Sequence, residues 1–254
     1  MEEIKLAQLL AGFRRIDDEN INSVYLGYIQ PETNDEPLLA YFKILPLREI
    51  LVEATCSLMA RHLGLPTPEP YLIIMDNVCP DDANPDIPAF GTVDANSPSF
   101  RRYLKANPET EIEKILLKWK YFTATAAFDE FIGNNDRHIG NLLYDGKTIT
   151  LIDHGLSIRE TQRADKANIE NKLFSVIADR DDVTRMRHRI SACNESKSYG
   201  KIPFNLLAAK TLATHYIDDL TIEQVVSFLR DRLDYLEEHI AHQLNFTIKQ
   251  KSLR

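Results

Sequence analysis

Residues 133–141 read Gly-Asn-Asn-Asp-Arg-His-Ile-Gly-Asn, and residues 152–155 read Ile-Asp-His-Gly. Asp136 stands five residues before Asn141, and Asp153 follows an apolar run. Asp136 can accept the proton of an attacking hydroxyl, while Asn141 and Asp153 offer the hard oxygen ligands that Mg²⁺ prefers. Together these side chains are typical of a site that transfers a phosphoryl group from a magnesium nucleotide. The alternative is a purely structural role, in which the Asn-Asn-Asp run only forms Asx-turns.

The residues between the two motifs predict a β-hairpin. Residues 142–151 read Leu-Leu-Tyr-Asp-Gly-Lys-Thr-Ile-Thr-Leu, which is strand, Asp-Gly turn, strand. A hairpin returns the chain to its starting end. We therefore expect it to bring Asn141 and Asp153 beside each other.

The motif resembles the catalytic segment of HipA-like kinases, where Gly-Asn-Asn-Asp-x-His-x-x-Asn precedes a metal-binding Asp. The motif Asp-Arg-His-x-x-Asn at residues 136–141 is also similar to that of phosphatidylinositol 3- and 4-kinases. The resemblance implies ATP as phosphoryl donor, Mg²⁺ as its metal ion and a Ser/Thr hydroxyl of a protein as acceptor. It assigns catalysis to Asp136 and metal binding to Asn141 and Asp153.

Arg137 and His138 complete the predicted catalytic set, and each has two interpretations. Arg137 could neutralise charge on the transferring phosphoryl group, or bridge to a carboxylate such as Asp129. His138 could orient the loop through backbone hydrogen bonds, or contact a phosphate. In HipA-like kinases an acidic residue at the place of Asp129 braces the catalytic loop; plain solvation of a helix end is the alternative.

The N-terminal residues predict a small sheet with one helix. Alternation and turn residues predict these elements: strands at 21–29 and 38–42, a polar turn at 30–37, a helix at 48–63 and a strand at 70–75. Gly64 ends the helix and Pro66 prevents its continuation. This order is that of the N-terminal lobe of a kinase-like fold.

Lys43 and Glu53 are the residues that we expect at the nucleotide phosphates. A lysine at a strand end, held by a carboxylate of the following helix, presents a fixed positive charge. Glu49 lies one helical turn earlier and could replace Glu53. Leu63–Pro68 matches the Gly-Leu-Pro-x-Pro of HipA-like kinases, although Val52-Glu53-Ala54 lacks the Asn of that family's Asn-Glu-Leu.

Residues 89–93 predict a strand that leads into an interlobe hinge. By their order in the chain, residues 90–94 are the expected hinge, with Phe90 and Thr92 contacting the nucleotide. Residues 97–107 then predict a lid or linker.

The remaining chain predicts a mainly helical part. Apolar spacing predicts helices at 111–131, 204–215 and 221–242, the last opened by a capping box at Thr221-Ile222-Glu223-Gln224. Residues 156–202 are predicted to be irregular and contain several hydroxyl side chains.

Composition is that of an ordinary folded enzyme, with 44% hydrophobic and 27% charged residues. The net charge of −8 argues against bulk binding to nucleic acid. The sequence predicts no membrane span, and its acidic start is unlike a signal peptide, so we expect the cytoplasm.

We therefore predict an α+β, two-lobed protein kinase-like fold, with an N-lobe at 1–94 that binds nucleotide and a helical C-lobe at 95–254. The expected activity is transfer of the γ-phosphoryl group of Mg-ATP to a protein. Two alternatives stay open: a non-catalytic nucleotide-binding module, or a phosphoinositide or small-molecule kinase. An antitoxin or regulatory partner also stays open, although the N-terminal subdomain of HipA toxins has no expected counterpart here.

Overall fold

The computed structural model describes residues 1–16, 23–33, 36–76, 78–104 and 109–246. Strands prevail in the N-terminal part and helices in the C-terminal part. The strands are β1 (Lys5–Leu9), β2 (Arg14–Ile16), β3 (Val24–Pro31), β4 (Leu38–Lys43), β5 (Pro70–Ile74), β6 (Ala89–Val93), β7 (Leu142–Tyr144) and β8 (Ile149–Leu151). The helices are α1 (Leu47–His62), α2 (Phe100–Leu104), α3 (Glu109–Lys118), α4 (Phe122–Phe131), α5 (Lys172–Ala178), α6 (Asp182–Ser196), α7 (Leu207–Lys210), α8 (Asp219–Arg232) and α9 (Leu236–Gln243).

The chain divides into two compact units. The first comprises Met1–Ser97, Thr150–Gly155 and Pro203–Glu223. The second comprises Pro98–Ile149, Leu156–Ile202 and Gln224–Arg254, as far as these residues are described. The division into functional lobes at 94/95 stays a prediction.

The first unit is built on a sheet in which β1 pairs with both β5 and β3. The strand order β1-β5-β6-β4-β3 therefore closes on itself, and β2 adds to the outside of β3. Alternate side chains point inward to a buried cluster that includes Tyr25, Phe42 and Tyr71. Gly91 lies where a Cβ would stand only 2.4 Å from the Ile73 side chain, so this interior has no room for a larger residue.

Helix α1 packs on the outer side of this sheet, where Ile50, Ala54 and Leu58 join Leu72 and Phe90 in a second buried cluster. The helix ends in a Schellman motif. The N–H of Leu65 donates to the carbonyl of Ala60, and Gly64 has a φ of 74°. The predicted helix and its glycine stop are thus confirmed.

The second unit is organised around α4, whose residues are almost all buried. Helices α5, α6 and α9 pack against it. Its sequence, Phe-Thr-Ala-Thr-Ala-Ala-Phe-Asp-Glu-Phe, is apolar on most sides, and its two buried carboxylates come at the C-terminal end.

Several predicted helices differ from those in the structure. The helix predicted at 111–131 is interrupted between α3 and α4, and that at 204–215 is a series of short turns around α7. The predicted irregularity of 156–202 is wrong for α5 and α6. Asn171 and Asp181 cap these helices by accepting the N–H of Phe174 and Thr184, a signal that the sequence did contain.

The predicted capping box at Thr221 is also wrong. Helix α8 begins at Asp219, and Asp218 accepts both the N–H and the hydroxyl of Thr221. A turn of 3₁₀-helix at Leu233–Tyr235 separates α8 from α9. The predicted strand 21–29, turn 30–37 and linker 97–107 fall partly on residues 17–22, 34–35 and 105–108, which lie outside the described residues.

Candidate functional site

A lysine held between two carboxylates is the central feature of the first unit. Lys43 Nζ lies 3.0 Å from Glu53 Oε1 and 2.8 Å from Asp153 Oδ1. Lys43 ends β4, Glu53 lies on α1, and Asp153 follows β8. The structure therefore brings together three of the predicted site residues, and it pairs Lys43 with Glu53.

Both carboxylate oxygens of Glu53 have a bonding partner, since Oε1 pairs with Lys43. Its side chain is 1% exposed, and its Oε2 accepts the backbone N–H of His154 at 2.8 Å. A Cβ at Gly155 would stand 3.3 Å from Glu53 Oε1, so the glycine lets the backbone approach the carboxylate closely. Asp153 itself has a φ of 62°, a left-handed conformation that is costly for a residue with a side chain.

The charge of Lys43 is secured by its neighbours. Burial by itself lowers the pKa of an ammonium group, but the carboxylates of Glu53 and Asp153 outweigh this and raise the pKa of Lys43. The side chain remains 19% exposed. Lys43 is thus a permanent cation at neutral pH, suited to an anionic ligand.

The outer face of the sheet beside Lys43 is partly open. Tyr41 shares this face with Lys43, stands opposite Leu26 and Thr92 on the neighbouring strands, and is 40% exposed. Tyr28, on the same face of β3, is 53% exposed. The sheet thus presents a partly apolar and aromatic surface next to the largely buried cation of Lys43.

The two predicted hinge residues lie in different surroundings. Both residues lie on the outer face of the sheet, where Phe90 is buried under α1 in the second cluster and Thr92 stands opposite the partly exposed Tyr41. The backbone N–H groups of Val93 and Asp94 donate to the carbonyls of Glu69 and Leu39. Adenine binding by residues 90–94 stays a prediction, and these two donors are engaged within the sheet.

In the second unit, a buried ion pair supports the predicted catalytic loop, residues 133–141. Arg137 donates from Nε and Nη2 to the Asp129 carboxylate at 3.0–3.3 Å, and both side chains are 1% exposed. Arg137 Nη1 also donates to the carbonyl of Asn141. Asn134 Nδ2 donates to Asp129 as well. Of the two interpretations of Arg137, these contacts match the bridge to Asp129.

Asp136 is presented by hydrogen bonds within the loop. Its N–H donates to Asn134 Oδ1, and its carbonyl accepts from Asn141 Nδ2 at 2.9 Å. Its carboxylate is 41% exposed. His138 accepts the N–H of Gly140 through Nδ1, which matches the interpretation that His138 orients the loop.

The donor atoms suit a hard cation. Asn141 uses its amide nitrogen within the loop, so its oxygen is the atom left for a metal ion. Asp153 binds Lys43 through Oδ1 and is 37% exposed. No cluster of three or more His, Cys, Asp or Glu side chains able to hold a metal ion occurs among the residues that the structure describes.

Three buried polar residues behind the loop escaped sequence reasoning. Glu130, Asn168 and Arg232 bond to one another and to the backbone around the loop. Charged and amide residues in helices or loops usually face water, so their types alone gave no signal.

Comparison with known proteins shows the family of the chain. A family model for HipA-like kinases matches residues 39–225. The chain belongs to the HipA-like kinase family. No curated protein matches the sequence. Among solved structures, the chain is similar to the crystal structure of a Helicobacter pylori proinflammatory kinase, CtkA. That match has a TM-score of 0.51 and 12% identity, and it covers 85% of this chain and 94% of the other. At this identity the likeness concerns the fold alone.

No helix in the described part of the chain is long and apolar enough to cross a membrane.

Proposed function

We propose that the protein is a cytoplasmic kinase that transfers the γ-phosphoryl group of Mg-ATP to a Ser or Thr hydroxyl of a protein. The observation that carries the proposal is the largely buried Lys43, held between Glu53 and Asp153. The carboxylate of Glu53 already pairs with the ammonium group of Lys43. Here a second carboxylate, in a strained backbone conformation, is also directed at it.

The proposed roles follow from the positions of the atoms. Lys43 binds the anionic phosphates, and Glu53 fixes its ammonium group. The open face that carries Tyr41 and Thr92 accepts the adenine ring. Asn141 and Asp153 are the proposed oxygen ligands of Mg²⁺, which when bound neutralises charge on the phosphates.

Asp136 is the proposed acceptor of the proton from the attacking hydroxyl. Its carboxylate is accessible, while Asn134 and Asn141 hold its backbone on both sides. Phosphoryl transfer needs positioning and charge stabilisation rather than covalent chemistry. A loop braced by a buried ion pair meets the first need, and a fixed lysine meets the second.

The protein acceptor rests on the family resemblance. The net charge of −8 disfavours an anionic membrane surface, which argues against a lipid substrate.

The test combines nucleotide binding with turnover. Mg-ATP should raise the melting temperature, by an amount equivalent to about 2.7 kcal/mol at a hundredfold excess over Kd. Asp153→Asn should remove most of the Mg²⁺-dependent shift, because an anionic ligand is lost. Asp136→Asn should keep the shift but abolish transfer of labelled phosphate to protein. Asp86→Asn, an exposed turn residue, is the matched control and should behave as wild type.

Three results would contradict the proposal. An equal Mg-ATP shift in wild type and Asp153→Asn would refute the metal assignment. Nucleotide binding without any transfer would favour the non-catalytic module. Rapid labelling of phosphatidylinositol vesicles or a small metabolite, with none of protein, would favour the alternative kinase classes.

A further inference from the structure

Asn168 is a buried side chain outside the catalytic loop whose polar groups are all engaged. It is 2% exposed. Its Nδ2 donates to the carbonyls of Asp129 and Asn134, both at 3.0 Å, and its N–H donates to Glu130 Oε1. Its Oδ1 accepts from Arg232 and Gln162. A side chain with this many partners has one allowed orientation.

Arg232, near the end of α8, holds Asn168 from the other side. Its guanidinium is fully buried and donates from Nη2 to Asn168 Oδ1 at 2.7 Å. It also donates from Nε to the carbonyl of Glu130, and from Nη1 to the carbonyls of Arg163, Ala164 and Lys166. One planar cation thus anchors both α4 and the segment that carries Asn168.

These bonds form a continuous path from α8 to the catalytic loop. Arg232 binds Asn168, and Asn168 donates to the carbonyl of Asn134. Asn134 Oδ1 in turn accepts the N–H of Asp136 at 2.8 Å. Asn134 is therefore held from Asn168 as well as from the ion-paired Asp129.

We propose that Asn168, fixed by Arg232, is a positioning residue that sets the orientation of the loop carrying Asp136. This rests on the proposed kinase function. Asn168 bonds the loop backbone at Asn134, the residue whose side chain holds the N–H of Asp136, so its loss should impair phosphoryl transfer and leave nucleotide binding intact. The nucleotide phosphates are assigned to Lys43 of the first unit.

The role requires an amide. Oδ1 must accept from a guanidinium while Nδ2 donates to two carbonyls, and only an amide group does both. Asn168→Asp keeps the size and the bond to Arg232 but replaces the donor by an oxygen that repels the carbonyls of Asp129 and Asn134. It therefore removes support of the loop while retaining the anchor.

The experiment compares Asn168→Asp with Asn171→Ala. Asn171 is equally buried, and its side chain bonds to Ala126, Glu130 and Phe174, outside the catalytic loop. We expect Asn168→Asp to slow single-turnover transfer by about tenfold to a hundredfold with an unchanged Kd for Mg-ATP. Amide hydrogen exchange of residues 134–138 should become faster. Asn171→Ala should lower the melting temperature but leave the transfer rate and the exchange of these amides unchanged.

Wild-type rate and loop exchange in Asn168→Asp would overturn the proposal, as would a slowing of the same size in Asn171→Ala. If Asn168→Asp does not fold, Asn168→Ser tests the loss of the amide without a new charge, because its short hydroxyl does not replace the two donor bonds to the carbonyls of Asp129 and Asn134. If the wild type transfers no phosphate, the proposed function fails, whereas the exchange measurement still decides whether Asn168 fixes the loop.

Discussion

The ion pair between Arg137 and Asp129 provides the sharpest test of how the catalytic loop is held. Both side chains are almost completely buried, and every bond from the Arg137 guanidinium to the Asp129 carboxylate and to the carbonyl of Asn141 would be lost in Arg137→Met. Methionine fills much of the volume but leaves the Asp129 carboxylate with Asn134 as its remaining partner on the loop. Breaking a buried pair in this way costs about 3–5 kcal/mol of unfolding free energy, against about 0–1 kcal/mol for a surface pair.

The effect of pH on this variant has a definite sign. Burial raises the pKa of Asp129, and the Arg137 guanidinium opposes that rise. Without Arg137 the pKa rises further. A carboxyl group whose pKa is higher in the folded state than in the unfolded state destabilises the folded protein when it is ionised. This destabilisation grows as the pH rises from the pKa of Asp129 in the unfolded state, near 3.9, to its pKa in the folded state. The stability deficit of Arg137→Met should therefore be smaller at about pH 5 than at about pH 8.

Urea unfolding followed by circular dichroism at both pH values measures this deficit. The double variant Asp129→Asn, Arg137→Met should recover most of the lost stability, because it has no unpaired charge to bury. A deficit below about 1 kcal/mol, or one unchanged in the double variant, would refute the brace. If the double variant recovers stability but remains without phosphoryl transfer, Arg137 instead acts on the transferring group.

Three further predictions follow from the site. Lys43→Met should abolish the Mg-ATP melting shift, and it should also destabilise the protein because Glu53 is left buried beside Asp153. The double variant Lys43→Met, Glu53→Gln should recover stability but not nucleotide binding. Gly155→Ala should displace the Glu53 carboxylate and weaken Mg-ATP binding, which titration calorimetry would detect; wild-type affinity would contradict this close approach. Autophosphorylation should favour Thr161, which is exposed, over Ser157, which is buried. Mass spectrometry after incubation with Mg-ATP, with Asp136→Asn as control, measures the phosphate on each residue, and more phosphate on Ser157 than on Thr161 would contradict the prediction.

Much of the site could be predicted because its chemistry lies in short local motifs. The Asp-Gly turn between Leu142 and Leu151 gives the hairpin from local turn preferences alone. The apolar spacing of α1 and the glycine after it gave both ends of that helix within about two residues. Lys43 at a strand end and Glu53 on the next helix were expected to pair, and they do.

Other elements could not be predicted, because their stability comes from partners distant in the chain. Strands β1 and β2 are short, and β1 is completed only by pairing with β3 and β5. The sequence could not decide whether Glu49 or Glu53 pairs with Lys43, because residues four apart lie on the same face of a helix. The packing of α1 on the sheet decided it. The predicted helix 111–131 is interrupted at Trp119–Tyr121, where the sequence has no glycine or proline that would predict a break.

The amino-acid sequence by itself indicated the family, the β-rich N-terminal part and the helical C-terminal part, and it supplied the residues that are proposed to accept a proton or bind Mg²⁺. These depend on residue type and spacing along a few turns of chain. Only the tertiary structure decided that Arg137 braces the loop through Asp129, and that Asn168 and Arg232 support it from behind. Burial is the physical reason: polar groups removed from water must find partners, and those partners are set by the packing of segments distant in the chain, as for Arg232 and Glu130, which are 102 residues apart.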